Sequence, residues 1–169
     1  LPDSWGRKVI ERHARARLSE FDYLLRGPDD RAGALGFGRN TEPPFPENRF
    51  NRTLDLERLQ SAADALLNDE PVLAGSAAEQ AADLLMLGGT SMGGARPKAV
   101  VEDDGAMWIA KFGRTDDSYN QPRTEHALLA LATACGLNAA DTRLTTVAGR
   151  DVLLVRRFDR DRAEGGFRR

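Results

Sequence analysis

Four glycines fall within the seven residues from Gly88 to Gly94, and no ordinary helix or strand runs through such a segment. The chain changes character across it. Before it, apolar residues recur at helical spacing: Leu56, Leu59, Ala63, Leu66 and Leu67 predict one helix. Ser76 and Glu79, spaced as a capping box, open another that runs through Leu84, Leu85 and Leu87 to a stop at Gly88-Gly89. After it, Lys98–Glu102 and Ala106–Phe112 are rich in β-formers and flank Asp103-Asp104-Gly105, a hairpin turn. Pro122 sits where a first helical residue would, and that helix runs to Gly136. Thr142–Val147 and Val152–Phe158 form a second hairpin about Ala148-Gly149-Arg150.

The remaining segments read less regularly. Residues 4–18 alternate basic and apolar positions and predict an exposed helix, with a short second helix from Phe21 closed near Gly27-Pro28. Residues 31–38 are too glycine-rich for a helix and read as a strand or extended edge, and the prolines of residues 40–51 make a loop. The expectation is an α+β fold: a mainly helical segment over residues 1–87, then an antiparallel sheet with one packed helix over 88–169.

Composition narrows the function classes. A net charge of −2 gives no global basic field for nucleic acid, and Cys135 is the only cysteine, so neither an intramolecular disulfide nor a cysteine-based zinc site can form. A lone cysteine suits a reducing, cytoplasmic setting, and no apolar run approaches a membrane span. The chain starts at Leu1-Pro2 and stops in Gly166-Phe167-Arg168-Arg169; both ends read as cuts in a longer polypeptide.

Three constellations carry chemistry. In Gly88–Lys98 the glycines let backbone N–H groups converge on an anion, and Arg96 and Lys98 add positive charge. The segment is either a phosphate cradle or a flexible helix-to-strand connection; it lacks the P-loop ending and enters a strand instead of a helix. Lys111 shares a strand face with Met107 and Ile109, so it is either a phosphate-gripping lysine or a strand-end lysine reaching for water. Glu125 lies on the face of Leu128 and Leu129, continued by Ala132 and Cys135, and is either a partner for Lys111 or a first-turn acid favouring the helix dipole. His126 reads as a surface residue. In sequence, the order of glycine-rich loop, strand, strand with lysine and helix with glutamate is the layout of a protein-kinase N-lobe, in which the lysine holds ATP phosphates and the glutamate orients it.

The motifs Ser91-Met-Gly-Gly-Ala-Arg-Pro-Lys98, Trp108-Ile-Ala-Lys111-Phe112, Glu125 in its helix and Val152-Leu-Leu-Val-Arg-Arg-Phe-Asp-Arg160 resemble consecutive motifs of the HipA family of serine/threonine kinase toxins. Leu1-Pro-Asp-Ser-Trp-Gly6 and Leu18–Leu25 are similar to the family's upstream segment. The resemblance implies a kinase-like N-lobe with its C-lobe missing from the chain. It implies that Gly93, Gly94, Ala95, Arg96, Pro97 and Lys98 wrap the phosphates of ATP, that Lys111 contacts phosphate and that Glu125 holds Lys111. Arg156, Arg157 and Phe158 fall on the segment that meets adenine; family members carry an acidic residue where this chain has Arg156. Ser91 matches the serine that family members autophosphorylate.

Further implications are Mg2+ held by ligands outside this chain, a HipB-like helix-turn-helix antitoxin that links the protein to DNA only indirectly, and an aminoacyl-tRNA synthetase as substrate. The catalytic Asp belongs to the C-lobe, so the expectation is that these 169 residues alone transfer no phosphate. The competing expectations are a non-catalytic nucleotide-binding module and a DNA- or antitoxin-docking domain that uses the arginine-rich helix over residues 7–17.

Overall fold

The structure is a computed structural model and describes residues 1–28, 36–42, 51–52, 55–68, 76–87, 94–163 and 166–168. The first helix, α1 (Ser4–Ala14), starts at Asp3, whose carboxylate accepts from the amide of Gly6 at 2.6 Å and caps a free helical N–H. It ends where Arg15 turns left-handed at φ 53°. The exposed helix expected over residues 4–18 is thus shorter, and it is not exposed: Trp5, Val9 and Ile10 are buried. Their spacing puts them on one side, and the interleaved basic residues had obscured that stripe. Helix α2 (Glu20–Arg26) begins with a full capping box between Ser19 and Asp22.

A two-residue strand, β1 (Asn51–Arg52), precedes α3 (Leu56–Leu67) and α4 (Ala77–Leu87). Helix α3 buries Leu56, Leu59, Ala63 and Leu66, as its spacing predicts. Ser76 Oγ accepts from the Glu79 amide at 3.2 Å, and the Glu79 carboxylate pairs with Arg15 at the end of α1. The expected strand or extended edge over residues 31–38 lies mostly outside the described residues, and 36–38 form no regular element. The expected proline loop also falls largely outside them, as does the glycine stop at Gly88-Gly89.

The sheet is built from β2 (Lys98–Asp103), β3 (Ala106–Phe112), β4 (Thr142–Val147) and β5 (Arg150–Arg156), with α5 (Gln121–Ala134) between β3 and β4. The strand order is β1-β2-β3-β5-β4; β1 pairs parallel with β2, and every other pairing is antiparallel. Both hairpins turn through two positive-φ residues, Asp104 (47°) with Gly105 (70°) and Ala148 (47°) with Gly149 (77°), the turn whose twist matches the strands it joins. A small hairpin of β6 (Asp161–Ala163) and β7 (Gly166–Arg168) follows.

Alternation along the strands assigns the two faces. Ala99, Val101, Trp108, Ala110, Phe112, Val152 and Leu154 pack with Trp5, Leu59, Leu66 and Leu85 in one core, so α1, α3 and α4 cover this face. The helical segment over 1–87 and the sheet segment over 88–169 differ in character but share that core. Arg150 ties them further, donating to Asp64 of α3 at 2.8 and 3.1 Å and to the Gly113 carbonyl at 3.2 Å. The opposite face carries Lys98, Val100, Met107, Ile109, Lys111, Leu153 and Val155, and α5 lies against it. Among the described residues no helix is long and apolar enough to cross a membrane.

Candidate functional site

Helix α5 is fixed first at its N-terminus. Asn120 caps it by accepting from the Arg123 amide at 3.0 Å, and Pro122 occupies the first turn, where its missing N–H costs nothing. The buried carboxylate of Asp151 on β5 accepts from Asn120 Nδ2 at 2.7 Å, Arg123 Nε at 2.8 Å and Thr146 Oγ1 at 3.0 Å. The bond from Arg123, ahead of the other two, holds the Asp151 carboxyl below the usual carboxylate range. His126 is half-buried, with Nδ1 2.8 Å from Thr142 Oγ1 on β4; it anchors the helix and is not the free surface residue the sequence suggested.

These anchors rotate α5 so that Pro122, Glu125, His126, Leu129 and Ala132 face the protein. Leu128 and Cys135, which sequence spacing placed on the Glu125 face, point outward; Leu128 is 60% exposed. The helix packs along the stripe one residue round from the one its leucines suggested. Polar anchors at Asp151 and Thr142, not leucine burial, set its rotation.

With α5 placed, Glu125 Oε1 lies 2.5 Å from Lys111 Nζ. The Lys111 and Glu125 side chains are 33% and 43% exposed, and an ion pair so open to water adds only about 0–1 kcal/mol to stability. The fold therefore does not depend on the pair, although α5 and β3 bring it together.

The Lys98 ammonium donates to Asp3 Oδ2 at 3.2 Å and to the Gly94 carbonyl at 3.0 Å. Burial, opposed by the charge of Asp3, leaves its pKa below the usual lysine range. Gly94 has φ 109°, a conformation that only glycine adopts without strain, and a Cβ there would lie 3.4 Å from Lys98 Nζ. Between them Ala95 is exposed and Pro97 is buried, its carbonyl accepting from the Phe112 amide at 3.1 Å. Arg96 pairs with Asp117, whose carboxylate also accepts from the Arg114 amide at 2.8 Å. Gly93 and Ser91 lie outside the described residues.

At the far end of β5 the structure changes the reading of the arginines. The Arg157 side chain is wholly out of solvent, and its Nε and one Nη donate to the two oxygens of Asp159 at 2.9 and 2.8 Å. Arg160 donates to the same carboxylate at 2.9 Å. Arg157 thus braces the chain as it leaves the sheet and is not a free cation for a ligand. The amides of Arg156 and Arg157 are also spent, on the carbonyls of Asp141 and Met107 at 2.8 and 2.9 Å. Phe158 is 96% exposed and borders a cleft of about 400 Å3 with Asn138, Asp141 and Arg156. A run of interleaved arginines and aspartates cannot by itself distinguish a ligand-binding arginine from a buried brace, which is why the sequence missed Asp159.

The arrangement defines a class: an α+β domain in which a helix glutamate holds a strand lysine beside a glycine-containing loop. Residues 90–169, a little under half of the chain, match the family model described as the HipA-like C-terminal domain. A comparison with curated proteins gives no match. The family match takes in β2 to β7 and α5, whereas α1 to α4 precede it. In the arginine-rich stretch over residues 7–17, α1 ends at Ala14, Arg7 is bonded to Glu20 and Arg15 to Glu79.

Proposed function

We propose that this chain is the ATP-gripping portion of a HipA-type serine/threonine kinase. The Lys111–Glu125 pair carries the reading: a charge-assisted contact between strand and helix that contributes little to the fold and presents a fixed ammonium to solvent. Gly94 to Lys98 would wrap the phosphates, with Gly93 ahead of them. Ile109 and Val155, register partners on the Lys111 face and only half-buried, would seat the apolar side of the purine. Lys111 pairs with Leu153, and Arg157 lies four residues on from Leu153, just past the end of β5, about 13 Å at strand rise, a span suited to an extended nucleotide. Because the Arg156 and Arg157 amides are spent, adenine would meet this segment at Phe158 or at backbone carbonyls.

When bound, Mg2+ would neutralise phosphate charge, held by phosphate oxygens and by groups outside these residues. In the whole protein the phosphate would go to a protein Ser or Thr, with an aminoacyl-tRNA synthetase as the substrate class, a HipB-like antitoxin as partner and arrest of translation as the outcome. Ser91 would be its own phosphorylation site.

Calorimetric titration of the purified chain with MgATP tests the reading. Saturable binding is expected, weakened at least about tenfold in Lys111→Met, the loss that one charge-assisted bond represents. The melting temperature should hardly move. A chain that melts cooperatively yet takes up no MgATP would overturn the reading.

A further inference from the structure

Lys98 and Lys111 are register partners across the β2–β3 hairpin, so their side chains leave the same face of the sheet side by side. The Phe112 amide donates to the Pro97 carbonyl, which makes 97/112 the hydrogen-bonded pair and 98/111 the adjacent, closer-spaced one. Two ammonium groups so placed repel each other, and each has a carboxylate of its own. Glu125 comes to Lys111 from α5, and Asp3 comes to Lys98 from the start of α1.

The hold on Lys98 is more extensive than the hold on Lys111. Asp3 divides its carboxylate: one oxygen caps α1 through the Gly6 amide at 2.6 Å and the other takes Lys98 Nζ at 3.2 Å. Two residues on, the Trp5 indole N–H donates to the Lys98 carbonyl at 3.0 Å. One turn of helix thus fixes both the side chain and the backbone of Lys98. An ammonium has three donors, and a second goes to the Gly94 carbonyl. Because the Lys98 side chain is only 7% exposed, its effect on a ligand passes through the loop that it braces.

We propose that Asp3 is a positioning residue for the glycine loop, acting through Lys98 on the Gly94 carbonyl as Glu125 acts directly on Lys111. The ligand's identity as a nucleotide rests on the function proposed above; the bracing of Lys98 does not. The charged groups around Lys98 are Asp3 and Lys111, with Glu125 beyond Lys111. Without the Asp3 carboxylate, burial and the Lys111 charge act on Lys98 unopposed, its proton is lost at lower pH, and the loop loses its brace.

The test is Asp3→Asn, which keeps an N-capping side chain and removes the charge. Two measurements apply: the MgATP dissociation constant from pH 6 to 9, and the rate at which an amine-acylating reagent modifies Lys98 without nucleotide, followed by peptide mass spectrometry. The variant should bind MgATP on the order of tenfold more weakly, its affinity should fall away at lower pH than wild type, and Lys98 should acylate about tenfold faster. If Asp3→Asn melts early, Asp3→Ser caps the helix and serves instead. Affinity and acylation that both superimpose on wild type would overturn the proposal. If wild type takes up no MgATP, the nucleotide reading fails, and acylation alone decides the bracing: faster in the variant supports it, unchanged refutes it.

Discussion

Arg157 and Asp159 form a two-pronged ion pair whose arginine is wholly withdrawn from water, with Arg160 on the same carboxylate. Removing the acid takes away the carboxylate that two buried guanidinium groups share, and breaking such a pair costs about 3–5 kcal/mol. Asp159→Ala is therefore expected to destabilise the chain by roughly 3 kcal/mol, measured by urea unfolding. Asp141→Ala, which removes only an exposed partner of Arg156, should cost under about 1 kcal/mol.

The same carboxylates give the stability a dependence on acid. Asp159 is held below its ordinary value by the bond from Arg157, ahead of the opposing effect of burial. Asp151 is held low in the same sense by Arg123. A depressed folded pKa means that the stabilisation is complete above the unfolded value near 3.8 and drains away as pH falls through the lower folded value. Thermal melts should therefore be nearly flat in these groups above about pH 5 and fall steeply below about pH 4. Asp159→Asn should be less stable throughout and show a shallower fall.

Arg150 joins the sheet to α3 through Asp64 and the Gly113 carbonyl, and the oxygen of the buried Gln60 amide also faces it when that amide is turned to satisfy both of its ends. Arg150→Leu leaves these acceptors without a donor and is expected to cost about 2–4 kcal/mol. Differential scanning calorimetry should show one transition at lower temperature. Two separate transitions would mean that helices and sheet do not melt together.

The regular elements were legible where periodicity was strong. The leucine spacing of α3, the Asp-Asp-Gly turn and Pro122 each predict what the structure shows, because each is a local effect. The Lys111–Glu125 contact was anticipated as one of two alternatives, and the geometry brings the two groups together. What could not be read was long-range. Nothing local says that Trp5 reaches Lys98, 93 residues on, or that Asp3 serves both a helix and a lysine. The outward turn of Leu128 followed from polar anchors on other strands, and the burial of Arg157 from an acid two residues away. The nucleotide identity, the loop serine and the partners came from resemblance.

The core that Trp5, Leu59 and Leu85 share with Trp108, Phe112 and Leu154 carries a practical consequence. The family match begins at residue 90, which invites an experimenter to excise the sheet and study it alone. Such an excision would uncover one face of the sheet and remove the Asp3 carboxylate that holds Lys98 along with it. Loss of ligand binding in that truncated piece would report the collapse of its scaffold and say nothing about the loop.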